Sequence, residues 1–174
     1  MSEDRKDEFF YRIFTLPKDV DIDLIISALK SHNRKKVTLQ ILNPDFIVSN
    51  RHIHAAIYSA NKAIETGRNI ARERANEFLL RLSGKRQITS ALDIFGISEK
   101  SKHILIIAFG GEEKENETEI NKFLELSDIS EKDEIKKPIP ITDLNTLCQY
   151  YQIDGNLEEI EKKAIENIAV VEIL

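Results

Sequence analysis

"KHILIIAF", residues 102–109, is apolar at nearly every position and is closed by Gly110 and Gly111. A half-exposed strand would alternate, and an amphipathic helix would show a polar stripe, so this run reads as a strand buried on both faces. It is expected at the centre of a sheet. Upstream, "EFFYRIF" (8–14) mixes aromatic and β-branched residues and stops before Leu16-Pro17, which reads as a strand. "KVTLQIL" (36–42) is a second, ended by Asn43-Pro44. Between them "DIDLIISALKSH" carries helical spacing, with Asn33 and the basic Arg34, Lys35 and Lys36 at its exit, where cations suit the helix dipole. Strand, helix and strand in that order predict a right-handed crossover with the first two strands paired in parallel.

"DFIVS" (45–49) reads as a short extended lead-in, with Ser49 or Asn50 as the N-cap of a helix over Arg51–Thr66 that Gly67 stops. A second helix is expected over 68–83, ending at Gly84, and a third on Ile88, Ala91, Leu92 and Phe95, ending at Gly96. Past the central strand, 112–138 is acidic and reads as a variable insertion: a short helix around Ile120, Phe123 and Leu124, then loop. Thr142 is the expected cap of a helix through Leu144, Leu147 and Tyr151, broken at Asp154-Gly155-Asn156. The closing helix carries Leu157, Ile160, Ala164, Ile168 and Val171 on one stripe and Ile165, Ala169 and Ile173 on another, although "IAVVEIL" could also close the sheet as a strand. The expected fold is α/β: one domain over 1–174, with a mixed sheet of about three or four strands covered by roughly seven or eight helices.

The 174 residues suit one such domain. Hydrophobic residues at 41% and charged residues at 32% exclude a disordered chain. The opening MSEDRKDEFF has no apolar signal core, and no stretch approaches the roughly 20 apolar residues of a membrane span, so a cytoplasmic protein without membrane contact is expected. One cysteine, Cys148, excludes an internal disulfide and a cysteine-rich zinc site. The net charge of −5 divides unevenly: residues 1–111 carry 18 Lys and Arg against 13 Asp and Glu, and residues 112–174 carry 7 against 17. The first part is basic, so a polyanionic partner is compatible with an acidic total.

No phosphate-loop, dinucleotide, nucleophile-elbow or helical zinc motif occurs. His52 and His54, two apart, diverge on a helix, and packing or capping roles outweigh a shared metal. A small metal- or nucleotide-dependent enzyme using His52, His54 and Asp45 is the rival from another class. At "RLSGKRQITSALDIFGIS" (81–98), one helix ends at Gly84 and the next begins within three residues. Free backbone N–H groups then lie beside Lys85, Arg86 and Gln87, a place suited to an anion. Arg74 and Arg81 share a face of the preceding helix and extend the patch. On residue physics alone, a solvated basic face with an exposed Glu77–Arg81 pair is the simpler reading.

"NPDFIVSNRHIHAAIYSANKAI", "ANEFLLRLSGKRQITSALDIFGIS" and "HILIIAF", followed by "ITDLNTLCQYYQI" and an apolar closing helix, resemble in order the small kinase-binding subunits of the KEOPS (EKC) complex. The resemblance covers most of residues 35–174 and is sharpest from 43 to 109. It implies a non-catalytic, cofactor-free subunit that binds the atypical kinase/ATPase of KEOPS directly, and other subunits indirectly, in making threonylcarbamoyladenosine on tRNA. "GKRQI" looks like the archaeal form of a loop that captures the single-stranded CCA end. On this reading Lys85, Arg86, Gln87, Arg74, Arg81, His52 and His54 contact tRNA, and Ile165, Ile168, Ala169 and Val171 face the kinase. A protein-interaction domain without RNA contact is the further alternative.

Overall fold

The computed structural model describes residues 7–32 and 36–173; Arg34, Lys35 and the opening MSEDRK lie outside them. Two compact units make up the described chain, one from 7–43 with 96–136 and the other from 44–95 with 137–173.

The first unit holds the strands β1 (Phe9–Thr15), β2 (Thr38–Leu42) and β3 (His103–Phe109), the helices α1 (Ile22–His32) and α5 (Glu113–Leu126), and a 3-10 turn at Glu131–Asp133. The sheet order is β1-β3-β2. β3 takes the middle, as its unbroken apolar run predicts, with Ile104 through Phe109 all fully buried. The sheet is not mixed: β3 pairs antiparallel with both neighbours, with Phe14 opposite Ile104 and Ile41 opposite Ile106. β1 and β2 run in the same direction, as the crossover predicts, but β3 lies between them. The physical reason is burial, since the strand apolar on both faces excludes most water by occupying the centre. Against one face, formed by Phe14, Leu39, Ile41, Ile104, Ile106 and Ala108, pack Ile25 of α1 and Ile120 and Phe123 of α5.

The acidic stretch therefore contributes core. Its helix is longer than its apolar content suggested, begun by a capping box in which Glu112 and Glu115 satisfy each other's backbone N–H groups. The chain beyond it clips onto the outer edge of β1. Ile135 donates its N–H to the Ile13 carbonyl at 2.8 Å, and Arg12 grips both Glu134 carboxylate oxygens, at 3.0 and 2.7 Å. An uncovered strand edge is a template for aggregation, and this clip covers part of it.

The second unit is helical: α2 (Asn50–Glu65), α3 (Arg74–Ser83), α4 (Ile88–Phe95), α6 (Leu144–Tyr151) and α7 (Leu157–Ile173). Ser49 caps α2, its hydroxyl accepting from the His52 N–H at 3.1 Å. Asp143, not Thr142, caps α6, because its carboxylate reaches the Thr146 N–H. α3 starts six residues later than its pattern suggested, with 68–73 held as a loop. The closing segment is helical and not a strand. α7 packs Ile160, Ala164, Ile168 and Val171 inward, the period expected of one buried helix face.

Arg12, helped by Lys136, holds the Glu134 carboxyl down at about 2 from its ordinary 4.5. A carboxylate depressed by folding stabilises fully above its unfolded value, and that stabilisation is lost as pH falls from about 4.5 toward 2. Glu134→Gln should therefore give a flatter stability profile than wild type across this window in urea melts. Parallel profiles would exclude the clip as an acid-sensitive element.

Candidate functional site

Gly84 joins α3 to α4 in a left-handed conformation, φ 67°, which glycine adopts without a Cβ penalty. Its N–H bonds the Arg81 carbonyl and the Lys85 N–H bonds the Leu80 carbonyl, the paired closure of a Schellman motif. A Cβ at Gly84 would also lie 3.0 Å from the Asn167 Cβ of α7. Glycine is required here both for the turn and for the approach of α7. Just beyond it, Lys85, Arg86 and Gln87 are all exposed, and the Ala91 N–H returns to the Gln87 carbonyl to begin α4. The first amides of an α-helix have no intrahelical partner and favour negative charge, so the start of α4 adds to Lys85 and Arg86 in favouring a negative group at the junction.

Arg86 is tethered as well as exposed. Its Nη1 donates to the Val171 carbonyl near the C-terminus of α7, leaving the other guanidinium N–H groups for further contacts. A cation at a helix C-terminus is favoured by the orphan carbonyls there.

Arg81 is not part of this surface. Its side chain is 1% exposed, with Nε and Nη2 donating to Glu77 Oε1 at 2.9 and 2.7 Å and Nη1 to Glu172 Oε1 at 3.2 Å. The Glu77–Arg81 spacing reads as a solvated pair, but α2 and α7 cover it. Arg74, seven residues away at the start of α3, is half-buried. The two arginines therefore do not form one exposed stripe.

The histidines also separate. His52 is fully buried, its Nδ1 accepting from the Val48 N–H at 3.4 Å and its Nε2 donating to the Leu82 carbonyl at 3.1 Å. Burial lowers its pKa to about 4, against the opposing pull of the Leu82 carbonyl and Glu161. It is a structural pin between the start of α2 and the end of α3, out of reach of RNA. His54 is exposed on the other side of α2, and Asp45 sits half-buried in the turn before it. Among the described residues no group of three His, Cys, Asp or Glu side chains is placed to hold a metal.

α7 divides the four expected kinase-facing residues. Ile168 and Val171 point into the unit at 4% and 1% exposure, whereas Ile165 is half-buried and Ala169 exposed. The outward stripe continues to Val170 and to Ile173, 81% exposed. Ile165, Ala169 and Ile173 are spaced by four and so fall on one face. The second apolar face was legible in the sequence; which face turned inward was not.

An α/β chain whose solvent-facing features are a cationic helix junction and an apolar helix stripe has the surface of a binding module. The comparisons agree: the family model of the kinase binding protein CGI-121 matches residues 20–172, and the chain belongs to that family. It is also 26% identical over 130 residues to the EKC/KEOPS complex subunit CGI121 of Yarrowia lipolytica, covering 74% of this chain and 72% of the relative. Among the described residues no helix is long and apolar enough to cross a membrane.

Removing one partner from the buried ion pair leaves an uncompensated charge. Arg81→Ala should destabilise the protein by about 3–5 kcal/mol in chemical denaturation. Lys85→Ala, at the exposed junction, should leave the unfolding midpoint unchanged. Equal midpoints for the two variants would contradict the burial of Arg81.

Proposed function

We propose that this chain is the kinase-binding subunit of a KEOPS-type complex, working in the cytoplasm as a single non-catalytic module, with two separate docking surfaces. The outward stripe of α7, Ile165, Ala169, Val170 and Ile173, takes the kinase. The α3–α4 junction, with Lys85, Arg86, Gln87 and the exposed His54 near the start of α2, takes the single-stranded CCA end of tRNA while the complex forms threonylcarbamoyladenosine; Arg74, at the far end of α3, is not part of that surface. The observation that supports the first surface most directly is Ile173, a large apolar side chain left almost bare at the end of a stripe, in a chain whose family is described as kinase-binding. The second is supported by tethered Arg86 beside free helix amides, which suits unpaired phosphates and bases better than a duplex.

Two outcomes test these surfaces. Ala169→Glu with Ile173→Glu should reduce capture of the purified kinase subunit at least about tenfold with an unchanged circular dichroism spectrum, because charge is depleted from interface cores. Ile168→Glu should unfold the second unit instead. Undiminished capture by the double variant would remove α7 from the interface. Lys85→Glu with Arg86→Glu should weaken tRNA binding about tenfold or more and reduce its salt dependence. Wild type should bind tRNA lacking its CCA as weakly as the variant binds intact tRNA; equal binding of the two RNAs by wild type would overturn the capture role.

A further inference from the structure

Arg81 and Arg86 meet the end of α7 in the same manner. Arg81 turns the Nε and Nη2 edge of its guanidinium to the Glu77 carboxylate, at 2.9 and 2.7 Å, and reaches Glu172 with Nη1 at 3.2 Å. Arg86 also reaches α7 with Nη1, at the Val171 carbonyl, which leaves it the same Nε and Nη2 edge for an anion. Arg12 grips Glu134 by that edge as well. The guanidinium is a rigid plane, so an anion held on one edge fixes the direction of the other.

What Arg86 holds is the part of α7 that kinase docking needs. The Val171 carbonyl lies in the last turn of the helix, where carbonyls have no partner within it. Helix ends fray unless they are tied down. This turn is tied from the buried side by the Val171 side chain and Arg81, and from the surface by Arg86. Val170 and Ile173, 42% and 81% exposed, ride on the same turn. A capped turn presents them as one stripe, whereas a frayed turn scatters them. An exposed arginine loses rotamer freedom in holding a single carbonyl, which weakens the cap in the free protein. A phosphate on the other edge takes up the same freedom, so the second contact forms at lower entropic cost than the first. We infer that Arg86 couples the two docking surfaces: RNA at the α3–α4 junction orders the last turn of α7 and strengthens kinase binding, and the kinase strengthens RNA binding by the same factor. This rests on both surfaces proposed above and adds the regulation that joins them.

The test measures binding of the purified kinase subunit to the whole chain, with no RNA and with saturating CCA trinucleotide, a probe short enough to add few contacts of its own. Wild type should bind the kinase about fivefold more tightly with CCA, the lower end of typical couplings. Hydrogen exchange at the amides of Val171, Glu172 and Ile173 should slow when CCA is added without kinase. Lys85→Ala should need more CCA to saturate yet keep the fivefold factor, because the link to α7 runs through Arg86. Arg86→Lys keeps a cation but has no second edge, so at CCA concentrations that saturate it the factor should fall to one and exchange should not slow. A factor of one in wild type, with CCA and kinase both bound, overturns the coupling and leaves both docking surfaces standing. A factor that persists in Arg86→Lys means that RNA and kinase touch directly, which overturns the role of Arg86. Failure of CCA to bind wild type removes the junction reading and the coupling with it.

Discussion

The helical unit is organised around one buried carboxylate. Glu77 is fully enclosed, and its two oxygens answer Arg81 on one side and the N–H groups of Ile70 and Ala71, at 2.9 and 2.7 Å, on the other. The loop that delays the start of α3 is thereby fixed to α3 itself. Arg81 passes the connection on, to Ser59 of α2 and to Glu172 at the end of α7. Burying two charges is costly, and such a pair contributes little net stability unless the remaining hydrogen-bonding capacity is filled. Here it is filled by three different elements, so the pair sets how α2, α3 and α7 meet.

That arrangement explains why nearby cations have different fates. Arg81 looks inward between α2 and α7 and is neutralised by carboxylates. Lys85 and Arg86, past the left-handed turn at Gly84, stand outside the packed helices. The turn reverses the chain within one residue, and the close approach of Asn167 of α7 leaves no room for a side chain there. Arg86 then bonds the Val171 carbonyl on the same terminal turn of α7 that Arg81 reaches through Glu172. Two arginines from one junction thus hold the end of α7, one from within and one from the surface. The family of kinase-binding proteins to which the chain belongs is built, in this member, with its cationic junction and its apolar helix stripe on a single set of packed helices.

The sheet unit solves a different problem. β3 is apolar on both faces and must be shielded along its length, which its central place achieves. β1 at one edge is partly covered by the clip at 134–136, held by Arg12 through Glu134. The acidic segment that reads by composition as a variable insertion supplies α5, whose Ile120 and Phe123 are fully buried against the sheet. Its carboxylates other than the buried Glu119 lie on the solvent side of an amphipathic helix, where composition alone resembles a loop.

The sequence by itself determined the three strands and the approximate places of most helices, that residues 103–109 lie at the sheet's centre, that Gly84 ends its helix, and that the closing segment carries two apolar stripes. Those are properties of local periodicity and backbone preference, and they do not depend on neighbours. Only the tertiary structure decided that β3 separates β1 from β2, that Arg81 and His52 are interior, and that Ile168 and Val171 turn inward while Ala169 and Ile173 turn out. The physical reason is that burial belongs to a pair of surfaces. An arginine or an isoleucine has the same local signature on either side of a helix, and its role is set by what packs against that side.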